Sequence, residues 1–149
     1  FCLNEARFGI MWGAIGAMSF CAEYAVEYAR SRIVAGGKRL TTKQVPQKKI
    51  AAMDEGIRLA TLLAHDITAL KEEGKASHLD FCRGKKTNVE IAYKKVIPLA
   101  GDLLGANVMS AAYHIGRHEQ NMKAVYIYEG PDDIHDFAIA RGITGDSAI

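Results

Sequence analysis

A chain of 149 residues with 49% hydrophobic and 24% charged side chains suits one ordinary soluble domain around a single core. Its formal net charge of +2 is too small to argue for a nucleic acid partner or an anionic membrane. Three cysteines (Cys2, Cys21 and Cys82) form neither an even-numbered framework nor a Cys-x-x-Cys pair, so free thiols in a reducing compartment are expected.

No uninterrupted apolar run is long enough to cross a bilayer, and there is no signal peptide. His114 and His118 sit four apart without a third ligand nearby, which argues against a metal. The lysine pairs 48–49, 85–86 and 94–95 read as solvated helix faces. The opening at Phe1, already inside a helical pattern, suggests a fragment, a processed product or a domain taken from a longer protein.

From Cys2 to about Arg32, apolar and small residues recur at helical intervals without a Pro, as in a long, largely buried helix. Gly9, Gly13 and Gly16 lower its helix propensity and read as close-packing points, or as plain tolerance. Ala35-Gly36-Gly37-Lys38 ends it. Thr41 or Thr42 is expected to cap a second helix over 43–73, with Pro46 in its first turn and Ile50, Met53, Ile57, Ala60 and Leu63 inward.

Ser77 caps a third helix reaching about Leu104, in which Pro98 should cause a kink or local break. Gly105 ends that segment. A short helix over 110–117 and a last one over 132–141 follow. No segment alternates convincingly as a strand, and no ordered sheet is expected. The class is all-α, an antiparallel four-helix-bundle-type domain. Self-association is expected through apolar faces such as that of Phe8, Trp12 and Ile15.

The stretch that carries chemistry is Tyr128 to His135, Tyr-Glu-Gly-Pro-Asp-Asp-Ile-His. Glu129 lies between an apolar run and the last helix, with Gly130 and Pro131 shaping the turn and an Asp available to cap the helix. A carboxylate held beside aromatics suits a general base. On this stretch alone, a solvated loop Glu is the plainer reading.

Taken together, several collinear stretches resemble the C-terminal helical domain of the acyl-CoA dehydrogenase family, most closely its glutaryl-CoA type. They are Cys-Leu-Asn-Glu-Ala-Arg-Phe-Gly-Ile at 2–10, Gln44 with Gln47-Lys48-Lys49, Asp102-Leu103-Leu104-Gly105, Arg117-His118, Tyr128-Glu129-Gly130, Asp133-Ile134-His135 and Arg141-Gly142-Ile143-Thr144-Gly145. The resemblance covers nearly the whole chain and makes residues 1–149 that domain. The N-terminal helical domain and middle β-barrel domain of such enzymes are not encoded here.

The resemblance implies an FAD-dependent oxidation of an acyl-CoA thioester, with Glu129 as the base that removes the α-proton. It implies that Cys2, Leu3, Asn4, Arg7 and Gly130 line the substrate channel. Arg32, Gln44, Leu104, Gly105, Ala106 and Pro131 fall at FAD-contacting positions. It further implies an electron-transfer flavoprotein as acceptor, a homodimer or homotetramer, and a bacterial cytoplasm or mitochondrial matrix.

Departures from the family pattern fall on the flavin side. Ala35 precedes Gly36 where Phe is usual, Gly101 stands for an Arg, Ala106 and Val108 replace glycines, and Pro131 replaces a Thr that would offer a hydroxyl and an N–H. The alternative is a non-catalytic bundle, excised or degenerate, acting in association.

Overall fold

The structure is a computed structural model that describes residues 2–147. Its first helix, α1 (Cys2–Ser31), is central: Met11, Ala14, Met18, Cys21, Ala25 and Ala29 are buried along it. This helix meets the length and composition of a membrane span, contrary to the sequence expectation. Its contacts with every other bundle helix make it the core helix here.

Helix α1 stops at Ser31, before the glycines expected to end it. Those glycines instead turn a small antiparallel hairpin, β1 (Ile33–Val34) with β2 (Lys38–Arg39), pairing Ile33 with Arg39 and Val34 with Lys38. The expectation of no ordered sheet is corrected to that extent. Two residues per strand are too few to show alternation in a sequence.

Helix α2 (Gln44–Glu72) follows a short 3-10 turn at Leu40–Thr42. Neither Thr caps it. Lys43 holds the cap position, and the Thr42 hydroxyl donates to the Arg39 carbonyl at 2.8 Å. Pro46 sits in the first turn, buried, where its missing N–H has no bond to lose. Met53, Ala60, Ala64 and Ile67 face the core.

Ser77 does cap α3 (His78–Ile91), in a reciprocal arrangement. Its hydroxyl accepts from the Asp80 N–H at 3.4 Å while its own N–H donates to Asp80 Oδ2 at 2.8 Å. The rod continues through a π turn at Ala92–Val96 into α4 (Ile97–Leu104), with Pro98 just inside the new start. The widened turn accommodates the Pro without breaking the rod.

Helix α5 (Ile115–Ile127) replaces the short helix expected over 110–117, and α6 (Asp132–Thr144) closes the described chain. Residues 125–127, whose apolar run preceded the Glu129 loop, are the last turn of α5. Pro131 rather than an Asp occupies the cap position of α6, with Asp132 and Asp133 in the first turn, favourably placed against the helix dipole.

Ion pairs fix the helix directions. Glu5 meets Lys71 at 2.8 Å, so α1 and α2 are antiparallel; Lys49 meets Asp102 at 2.8 Å, so α2 and the rod are too. Lys85 of α3 reaches the Tyr126 carbonyl at the far end of α5, which reverses direction once more. The result is an up-down-up-down bundle with α6 laid against α3.

Alanines at 14, 25, 29, 60, 64, 92 and 100 are fully or almost fully buried, so the helices approach closely. Phe8 and Trp12, expected to await a partner, instead meet Phe81 and His65 edge-on at 6.3 Å and 5.2 Å, and Ile15 is buried. Exposed apolar side chains lie elsewhere, at Leu59 and Leu62 of α2 and at Ile134, Phe137 and Ile143 of α6.

Candidate active site

The turn between α5 and α6 has no slack. Glu129 has φ of 56°, the one non-glycine residue in the left-handed region among those described, and Gly130 follows at φ 100°. A side chain in that region costs roughly 1–2 kcal/mol, so the surroundings must enforce it. Two cations from beneath do so. Arg7, nearly buried on α1, donates through Nε to the Glu129 carbonyl at 3.2 Å. Lys85, fully buried on α3, donates through Nζ to the Gly130 carbonyl at 2.8 Å and the Tyr126 carbonyl at 3.3 Å.

Gly130 is required twice over. A Cβ there would sit 3.1 Å from the His135 ring, besides the positive φ. His135 is fully buried, and neither ring nitrogen has a hydrogen-bond partner among the described residues. Burial, then the charges of Lys85 and Arg7, push its pKa down to about 4, so it is neutral at ordinary pH. Burial likewise holds the Lys85 ammonium below its usual range, with Asp132 opposing.

One carboxylate oxygen of Glu129, Oε2, is buried without a hydrogen-bond donor among the described residues. A half-buried carboxylate with an uncommitted oxygen can accept a proton from a molecule brought against it.

Of the residues expected to line a substrate channel, the structure brings Asn4, Arg7 and Gly130 to this end of the bundle. Asn4 Oδ1 lies 2.8 Å from His78 Nδ1, and Arg7 Nη1 lies 3.7 Å from Cys82 Sγ. Cys2 and Leu3 are exposed on the first turn of α1. Pro131 is exposed beside the turn and, as a Pro, offers no N–H.

The positions expected to contact a flavin, Pro131 apart, gather at the other end. Arg32, Leu104, Gly105 and Ala106 line one open cleft of about 300 Å³ with Tyr28, Val34, Leu40 and Asn107. Arg32 is exposed. Gln44 is exposed at the start of α2 and is not part of that lining. Arg7 and Tyr28 lie on one straight element, α1. Twenty-one residues at 1.5 Å each put the two sites about 30 Å apart.

Sequence reasoning missed Lys85, Asp132, His135 and Asn88 as functional or structural polar residues. Asn88 is fully buried and donates to the Met11 and Ala60 carbonyls at 3.3 Å and 3.1 Å, tying α1 to α2. His135 stood inside a stretch already singled out. Lys85 was mistaken for a solvated residue because it neighbours Lys86, which does reach Glu90 and Asp136 at the surface.

This bundle has the fold of known acyl-CoA dehydrogenase structures. The structure superposes on glutaryl-CoA dehydrogenase from Mycobacterium smegmatis with a TM-score of 0.95 at 35% identity, over 99% of this chain and 38% of that one. For a glutaryl-CoA dehydrogenase from Mycobacterium smegmatis in complex with FADH2 the TM-score is 0.94 at 34% identity, again over 99% of this chain and 38% of that one. Butyryl-CoA dehydrogenase from Megasphaera elsdenii gives 0.89 at 28%, over 95% of this chain and 36% of that one.

A curated short-chain specific acyl-CoA dehydrogenase of Megasphaera elsdenii is 30% identical over 132 residues, 89% of this chain and 34% of the relative. The profile "Acyl-CoA dehydrogenase, C-terminal domain" matches residues 1–144. The chain belongs to that family, and it spans about a third of the length of the curated relatives it matches.

Proposed function

We propose that this chain is the C-terminal domain of an FAD-dependent acyl-CoA dehydrogenase of glutaryl type, in which Glu129 removes the α-proton of the acyl-CoA thioester. The observation that carries it is the enforced left-handed turn at Glu129, with Oε2 buried and unpartnered. Strained backbone of this kind clusters at active sites and ligand clamps. The 35% identity to the Mycobacterium smegmatis enzyme favours a glutaryl substrate.

In this reading Arg7 and Lys85 hold the backbone, leaving the carboxylate free to take the proton. Bound FAD supplies the acceptor for the β-hydride. The Arg32 guanidinium makes no ion pair or side-chain hydrogen bond with any described residue, which suits a phosphate. With Leu104, Gly105 and Ala106 it would hold one part of FAD.

The separation of about 30 Å along α1 favours different flavins for this cleft and for Glu129. That favours a homodimer or homotetramer, each copy completing a site on another. An electron-transfer flavoprotein as acceptor and a bacterial cytoplasm or mitochondrial matrix complete the proposal.

The test is Glu129→Gln in the full-length enzyme. Glutaryl-CoA oxidation should fall about 10²- to 10⁴-fold in kcat, the usual range for a lost general base, with KM nearly unchanged. An active, fully flavinated Glu129→Gln enzyme refutes the assignment, and a preference for butyryl-CoA refutes the glutaryl type.

Ala106 and Pro131, a side chain and a missing donor at flavin-facing positions, favour a second reading, a non-catalytic association domain. Under it the full-length protein is colourless, and Pro131→Thr with Ala106→Gly raises FAD retention.

A further inference from the structure

We infer that Lys85 is a positioning residue for the Glu129 turn, acting through its backbone; this rests on the reading of Glu129 as the base. A lysine with no exposure at all is unusual, because burying an ammonium is costly unless its protons are used. Here they go to two carbonyls that bracket Glu129, Tyr126 on one side and Gly130 on the other. A helix cap alone would explain only the first, since Tyr126 belongs to the last turn of α5. The shorter bond, at 2.8 Å, goes to Gly130, outside any helix.

Lys85 thus spans the turn from below. The Arg7 bond to the Glu129 carbonyl fixes the middle, and the two Lys85 bonds fix the flanks. Asp132 and Glu129 contribute opposite charge around the Lys85 ammonium. Removing the ammonium frees the turn to leave the left-handed region, which its strain favours. The carboxylate would then point away from its present place, although no residue that meets substrate has changed. A misplacement of about 1 Å is enough to cost on the order of 10²-fold in rate.

Two variants separate positioning from packing. Lys85→Met keeps the length of the buried stem and donates nothing; Lys85→Gln keeps a donor without the charge. In this chain, hydrogen exchange is followed at the amides of Tyr128, Ile134 and His135, whose bonds to Ala124 and Pro131 bracket the turn. Exchange there should be about tenfold faster or more in Lys85→Met and less accelerated in Lys85→Gln, with the Met18 and Ala64 amides of the core unchanged. Equal acceleration at Met18 and Ala64, or none at the turn, overturns the inference and leaves Lys85 a packing residue. If Lys85→Met fails to fold, Lys85→Gln decides by the same comparison.

In the full-length dehydrogenase, Lys85→Met should lower kcat about tenfold or more while KM for the acyl-CoA stays within about threefold, and Lys85→Gln should recover part of the loss. A loosened turn with unchanged kcat overturns the catalytic role. The exchange result needs no catalysis, so it stands or falls separately from the assignment of Glu129, which Glu129→Gln tests.

Discussion

Replacing Glu129 by Gly and by Ala separates the strain of the turn from the chemistry of its carboxylate. Both variants remove the buried Oε2 and its charge next to Lys85 and Arg7, so those losses cancel between them. What differs is the backbone. Ala at φ 56° keeps the steric conflict of a Cβ in the left-handed region, roughly 1–2 kcal/mol, whereas Gly has none. Gly in turn loses about 0.5–1 kcal/mol more conformational freedom on folding. The difference leaves Gly ahead by about 1 kcal/mol, or a melting temperature higher by about 3 °C at this chain length. Thermal unfolding followed by far-UV circular dichroism measures it directly. A Gly variant no more stable than the Ala variant would show that the turn is relaxed at φ 56° and that the argument from strain is wrong.

Three further outcomes are expected. His135, neutral when buried with a pKa near 4 against 6.5 when unfolded, takes up its proton first in the unfolded chain as pH falls. Its contribution is complete above about pH 6.5 and is lost towards pH 4, so His135→Gln should flatten stability across that window, read by urea denaturation at pH 7 and pH 5. Gly56→Ala places a Cβ 2.8 Å from Val96 Cγ2 and 3.2 Å from Ile91 Cγ2, both stiff β-branched side chains. It should destabilise by about 1–2 kcal/mol, while Gly13→Ala, with nothing within 4 Å, should stabilise by up to about 1 kcal/mol, both by thermal melts. The exposed Leu59, Leu62, Ile134 and Phe137 should drive self-association, with a dimer or larger species in sedimentation at tens of micromolar, an order of magnitude for modest interfaces.

The long helices were legible because their signals are local. Ser77 with Asp80, the apolar stripe of α2 and the stop at Gly105 each lie within a few residues of what they determine. The start of α5 was not, because the Ser110 to His114 turn has no Pro and a composition that a helix would also accept. Thr41 and Thr42 offered good cap chemistry that the chain does not use, since the hairpin before α2 fixes its entry.

At the site, Glu129, Gly130 and Arg7 came from a resemblance, and the structure brings all three together. Lys85 was hidden because burial of a lysine is decided by which helices surround it, and pattern reading assigns a Lys-Lys pair to water. Phe8 and Trp12 failed in the opposite sense. Their partners Phe81 and His65 are distant in sequence, so the face they share with Ile15 looked unpartnered.

The π turn at Ala92–Val96 sets an azimuth as well as tolerating Pro98. One residue is about 100° of rotation about a helix axis. Below it the rod presents Lys85 to the Glu129 turn; above it, the same rod presents Leu104 to the Arg32 cleft. Straightening this segment into ordinary α-helix without removing a residue would therefore swing one end relative to the other by about a quarter turn. Either Lys85 would leave the core or Leu103 and Leu104 would. The five residues act as a phase adjuster between two sites about 30 Å apart, so the widening of this turn, more than its composition, is what substitutions elsewhere on the rod have no means to compensate.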